Sequence, residues 1–260
     1  MCAEWWARSV DGRPCTAVVL PGSGSDEVFV HAAFAAPLRA VGVGLVAPAP
    51  RRDAEVVRGH LAALDAALDR ADGPLLVGGV SLGAHIAARW AVSVDPRRLA
   101  GLLLALPAWT GPPAPDAPAA LAARLTAAQV RRGGIGEAVA SARAGCPPWL
   151  ADELARAWTG YGSGLPAALD VAASDPGPTP AELAALRLPA GLAAVTGDPV
   201  HPVSVARRWH GLMPAAVLHV SALDAFGADP ALLGRATVLG WLQALHRVRP
   251  AARTSQDGRW

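Results

Sequence analysis

The stretch Leu75-Leu76-Val77-Gly78-Gly79-Val80-Ser81-Leu82-Gly83-Ala84-His85 decides how this chain is read, because an apolar run ends in Gly-x-Ser-x-Gly and then turns helical. That is the pattern of a nucleophile elbow, a serine on a sharp strand-to-helix turn. Such a turn brings backbone against backbone two residues either side of the serine, which Gly79 and Gly83 permit because neither carries a Cβ. The backbone N–H of Leu82, opening the helix, would point at an oxygen bound beside Ser81, where free donors and the positive end of the helix dipole stabilise negative charge. One turn thus offers a nucleophile and half of an oxyanion hole. Five residues can also arise by chance in a glycine-rich chain, so the surroundings must decide.

Upstream of the elbow, Thr16 to Leu20 reads as a strand that ends in the glycine-rich loop Pro21-Gly22-Ser23-Gly24-Ser25-Asp26. A helical pattern follows through Val28, Ala32, Phe34 and Leu38, and Asp26 stands where its carboxylate would cap that helix. Trp5 to Val10 is strand-like, and the turn dipeptide Asp11-Gly12 would pair it with the run at Thr16 as a hairpin. Val43 to Ala47 predicts a short strand. The segment from Arg51 to Asp72 predicts a helix, with Val56, Val57, Leu61, Leu64 and Leu68 at helical spacing. Asp72-Gly73-Pro74 then delivers the chain into the elbow strand, which is apolar enough to be central and parallel.

Downstream, the helix after Ser81 runs to about Val94, and Leu99 to Leu106 predicts the next buried strand. From Trp109 to about Pro189 the alternation breaks. Pro112, Pro113, Pro115 and Pro118 precede helical patterns at Ala119 to Arg132, Ile135 to Ala144, Trp149 to Tyr161 and Ala181 to Leu186. Such an insertion reads as a cap over the sheet, in which Trp149, Trp158 and Tyr161 either line an apolar pocket or, more simply, pack the cap onto the body. Strand, helix, strand, helix then resume at Ala190 to Thr196, Val203 to Leu212, Ala215 to Leu223 and Pro230 to His246. The prediction is an α/β fold: a doubly wound, mostly parallel sheet in which residues 1–108 and 188–249 form the core, 109–187 the helical cap and 250–260 a flexible tail.

Composition narrows the function. The 23 basic residues, all arginine, nearly balance the 21 acidic ones and are scattered rather than striped with aromatics, so no nucleic-acid surface is expected. Arg247, Arg249, Arg253 and Arg259 gather near the end among Pro250, Ser255, Gln256 and Gly258, as in a solvated tail. No apolar run is long enough to span a bilayer, so no membrane partner is expected. The opening Met1-Cys2-Ala3-Glu4-Trp5-Trp6 carries no export signal, and Cys2, Cys15 and Cys146, widely spaced, suit reduced thiols; together these predict a cytoplasmic protein. Neither CxxC nor HExxH occurs, and the expectation is an enzyme without metal or other cofactor, acting on a small molecule.

Beyond the elbow, further features in chain order resemble the α/β-hydrolase family over nearly the whole chain. Pro21-Gly22-Ser23-Gly24 looks like the family's His-Gly-x-Gly oxyanion loop with proline in place of histidine, the elbow and helical cap follow, and Thr196-Gly197-Asp198-Pro199 stands where the family carries its acid. The resemblance implies Ser81 as nucleophile, the N–H groups of Ser23 and Leu82 as oxyanion hole, and Asp198 as the acid that orients a base. A serine hydroxyl is a weak nucleophile until an imidazole takes its proton, so a histidine is required.

Here the sequence departs from the family, whose histidine follows the last strand. That loop reads Ala222-Leu223-Asp224-Ala225-Phe226-Gly227-Ala228-Asp229-Pro230 and holds none. His201, three residues beyond Asp198, sits on a loop at the carboxyl edge of the sheet, where ligands of such folds bind, and is the preferred base. Its other ring nitrogen would be held either by Asp198 or by Asp224, which stands where the family's histidine would be. Alternatively, His201 only braces its proline-bounded loop. His85, one turn after Ser81, reads as packed; His31 reads as a helix-surface residue; His60, His210 and His246 fall on outer helices and His219 within the last strand, all structural. The leading expectation is a serine hydrolase cleaving an ester or thioester of a small, mostly apolar molecule. A binding protein without turnover and a lyase or perhydrolase on the same scaffold are the alternatives.

Overall fold

The computed structural model describes residues 16–248. The hairpin expected at Trp5 to Val10, the tail over 250–260, and Cys2 and Cys15 lie outside the described residues. Elements follow in the order β1 (Thr16–Leu20), α1 (Glu27–Ala40), β2 (Gly44–Val46), α2 (Val56–Arg70), β3 (Leu75–Val80), α3 (Leu82–Ser93) and β4 (Leu99–Ala105). Then come α4 (Pro118–Gly145), α5 (Pro148–Tyr161), α6 (Leu165–Ser174) and α7 (Pro180–Ala185), and finally β5 (Ala190–Thr196), α8 (Val203–Leu212), β6 (Ala216–Ala222), α9 (Leu223–Ala228) and α10 (Ala231–Val248).

Among the described residues the strands form one sheet of order β2-β1-β3-β4-β5-β6, and every neighbouring pair runs parallel. Parallel strands carry apolar side chains on both faces, and alternate residues here feed two separate cores. Val18, Leu20, Val77, Leu102 and Leu192 pack on one face with Leu64 of α2, Ile86 of α3 and Trp209 of α8. Val19, Leu76, Leu103 and Val195 pack on the other with Phe34 of α1 and Trp241 of α10. The order reverses between β1 and β3, so the carboxyl ends of those strands open the crevice at which ligands of doubly wound sheets bind.

The helices α4 to α7 all fall between β4 and β5. Pro118, Pro148, Pro166 and Pro180 each stand in a first helical turn, where a missing N–H leaves no hydrogen bond unmade. Gly134, at φ 78°, breaks α4 where the Gly133-Gly134 pair predicts a break. Trp158, Tyr161 and Leu165 are buried in the same apolar cluster as Val18 and Leu104, so these two aromatics pack the insertion onto the body. Two elements depart from expectation. The sequence reading places no helix between Tyr161 and Ala181; in the structure α6 occupies Leu165–Ser174, with Pro166 in its first turn, where proline is tolerated. The segment expected as a loop at 222–230 is instead largely the short helix α9, whose Phe226 packs edge to face against Trp149 of α5 at 5.0 Å and Phe29 of α1 at 6.3 Å.

Candidate active site

Ser81 joins β3 to α3 with φ 52° and ψ −113°, a region rarely adopted by a residue with a side chain. Two backbone bonds hold it there: its N–H donates to the Ala105 carbonyl at 2.9 Å, and its carbonyl accepts from the His85 N–H at 3.1 Å. The flanking glycines are a steric necessity. A Cβ at Gly79 would stand 2.3 Å from the Gly83 carbonyl carbon, and one at Gly83 would stand 2.5 Å from the Leu20 carbonyl oxygen.

The structure brings Ser81, His201 and Asp198 together. His201 Nε2 lies 2.9 Å from Ser81 Oγ, and His201 Nδ1 lies 2.8 Å from Asp198 Oδ2. The other carboxylate oxygen, Asp198 Oδ1, accepts the backbone N–H groups of Val200 at 2.7 Å and His201 at 3.1 Å, so the loop winds around the acid and fixes the ring it carries. Burial pushes the Asp198 carboxyl up, but the hydrogen bond and charge of His201 and the two amides outweigh it and hold the group below the usual carboxylate range. An ionised Asp198 fixes the tautomer: Nδ1–H donates to the carboxylate, and the Nε2 lone pair faces the serine hydroxyl. Both side chains are largely shielded, at 16% and 13% exposure.

Asp224 does not share in this. It lies exposed in the first turn of α9, and His201 Nδ1 is already engaged by Asp198, so the arrangement with Asp224 as partner of His201 is not the one observed. The glycine-rich loop stands beside the elbow: a Cβ on Gly22 would be 3.5 Å from Ser81 Cβ. Among the described residues, neither the Ser23 N–H nor the Leu82 N–H, the first of α3, finds a backbone acceptor.

The remaining histidines divide by burial. His85 is fully buried, accepts the N–H groups of Ala108 at 3.0 Å and Trp109 at 3.4 Å through Nε2, and packs against Trp109 and Trp209. His31, His210 and His246 are exposed, and His219 pairs with Gln243 at 3.0 Å. His60, on α2, is 1% exposed, in keeping with the structural role expected of it. Asp26 caps α1 as predicted, accepting from Val28 at 3.0 Å and Phe29 at 3.3 Å. Its second partner, Arg156 of α5, was not legible in the sequence, since 130 residues separate the two. Among the described residues no group of three or more His, Cys, Asp or Glu is placed to hold a metal ion, and no helix is long and apolar enough to cross a membrane.

No protein-family model matches the sequence, and no curated protein matches it. Solved structures do match. The chain is similar to Rv0554 from Mycobacterium tuberculosis, with TM-score 0.65 at 18% identity over 91% of this chain and 91% of that one. It is similar to a thermophilic esterase from Thermogutta terrifontis, with TM-score 0.60 at 18% identity over 89% and 90% of the two chains. It is also similar to MenH from S. aureus, with TM-score 0.62 at 15% identity over 88% and 93%. At these identities the likeness is one of fold.

Proposed function

From the α/β-hydrolase fold of this chain and the contacts at Ser81, we propose that the protein is a serine hydrolase that acts through an acyl-enzyme on Ser81. The observation that carries the proposal is His201, within hydrogen-bond reach of Ser81 Oγ on one side and of Asp198 on the other. As Ser81 Oγ attacks a substrate carbonyl carbon, its proton passes to His201 Nε2, and the charge developing on the carbonyl oxygen is received by the N–H groups of Leu82 and Ser23. The imidazolium, balanced by Asp198, returns the proton to the departing alkoxide or thiolate. Water then loses a proton to Nε2 and attacks the acyl carbon, and as the acid departs Nε2 returns that proton to Ser81 Oγ. Substrates fitting this reading are esters or thioesters of small, mostly apolar molecules, a class suggested by the apolar, tryptophan-bearing insertion.

The base on the loop after β5 favours turnover over the alternative of a binding protein that has lost its histidine. An active-site fluorophosphonate probe tests the proposal. Labelling of the wild type, lost in Ser81→Ala, is expected; an unlabelled wild type, or labelling that survives Ser81→Ala, would sink it. A screen with peroxide or carbon-acid substrates separates hydrolysis from perhydrolase and lyase chemistry on the same serine.

A further inference from the structure

Three side chains near the end of α5 converge on the loop that carries Ser23. Arg156 Nη1 donates to Asp26 Oδ2 and Nη2 to Asp26 Oδ1, each at 2.7 Å, a parallel fork on one carboxylate. Tyr161 Oη donates to the Ser25 carbonyl at 2.9 Å. The Trp158 indole nitrogen lies 3.0 Å from where a Cβ on Gly24 would stand. Glu153, one turn before Arg156, accepts from its Nε at 3.0 Å and so orients the guanidinium toward Asp26.

The loop has little of its own to fix it. One turn bond, from the Ser25 N–H to the Gly22 carbonyl at 3.2 Å, closes it, and Gly24 takes φ 66°. Its start is wedged against the elbow, with the Pro21 carbonyl oxygen 2.7 Å from a Cβ placed on Gly83. Its end is Asp26, whose side chain is only 4% exposed and whose two oxygens both go to Arg156. Without the guanidinium, that carboxylate would stay buried with two α1 amides as its partners, an arrangement that favours moving the carboxylate toward water. Ser23 lies between these two anchors.

We infer that Arg156 is a positioning residue for the oxyanion site: α5 clamps the loop over 22–26 so that the Ser23 N–H faces the oxygen developing beside Ser81. The inference rests on the serine-hydrolase reading above. It makes the insertion part of the chemical step as well as a cover for the substrate, because a donor displaced by a fraction of an ångström loses most of its effect on an oxyanion.

Two measurements on Arg156→Ala and Arg156→Lys test it: steady-state kinetics with a p-nitrophenyl ester, and amide hydrogen exchange of the segment 21–30. For Arg156→Ala, kcat is expected to fall about 10- to 100-fold with KM within about 2-fold, since a donor acting on the transition state is lost while substrate contacts remain. Exchange over 22–26 is expected to quicken. Arg156→Lys should recover part of both, because an ammonium cannot grip both oxygens in one plane. An unchanged kcat in a folded Arg156→Ala protein, or a rise in KM alone, would overturn the inference. Unchanged exchange over 22–26 would overturn it even if the wild type proved inert to fluorophosphonate, the result that removes the hydrolase reading.

Discussion

Acid should weaken this fold well above the pH at which carboxylates protonate, because two histidines are buried uncharged. Burial lowers His60 to about 4; burial, helped by the positive charge of Arg89 and by His201, lowers His85 to about 3. In the unfolded chain each imidazole titrates near the ordinary value of 6.5. Between the folded and unfolded values the unfolded state binds more protons, so stability is full above about pH 6.5 and falls as the pH drops below it. The loss is about 1.4 kcal/mol per pH unit for each group, so at about pH 5 each costs about 2 kcal/mol and the pair about 4 kcal/mol. That is a large share of the roughly 5–15 kcal/mol that holds a domain folded. Asp26 and Asp198, both held below their ordinary value, lose their contributions only at lower pH; Asp175, raised by burial against the pull of Arg89, works in the opposite direction and trims the slope. Urea unfolding from about pH 7.5 to about pH 5 at constant m-value reads the effect directly. His60 Nε2 has no hydrogen-bond partner among the described residues, so His60→Leu removes a titrating group without breaking a bond at that nitrogen and should halve the loss. A midpoint that does not move over this range, or a His60→Leu slope equal to that of the wild type, would refute the reasoning.

Two further substitutions probe the site and its frame. Asp198→Asn should lower kcat by roughly 10³- to 10⁴-fold, because an amide group facing Nδ1 favours the tautomer that cannot accept the serine proton; Asp224→Asn should leave kcat within about 2-fold. Ester-hydrolysis kinetics on both variants check this, and a comparable loss in Asp224→Asn would move the acid to α9. Gly83→Ala puts a methyl group 2.5 Å from the Leu20 carbonyl oxygen, backbone that cannot yield, and should destabilise the fold by about 3 kcal/mol or prevent soluble expression, read as a lower thermal midpoint.

The parts of the molecule legible in the sequence are those written in local pattern. The elbow is announced by its two glycines, β5 and α8 by unbroken period, and the Asp198–His201 loop by Pro199 within it and Pro202 at its end. What escapes reading is set by distant partners. Helix α9 forms where turn residues suggest a loop because Phe226 is gripped by Trp149 and Phe29, from segments remote in sequence. The choice between Asp198 and Asp224 depended on which way one imidazole turned, and two backbone amides on Asp198 Oδ1 decide that. Arg156 is one arginine among many in the sequence, and nothing near it points to Asp26.

The base that meets Ser81 and the acid that holds that base sit three residues apart on one self-wound turn. On the proposed mechanism, everything the chemistry asks of the chain is then complete by residue 201. The last strand, α9 and α10 then supply none of the proton-transferring groups, so substitutions there should be filtered mainly by how well they pack. That part of the chain becomes the natural place to fuse a partner, graft a new loop or recut the termini without disturbing the proton path.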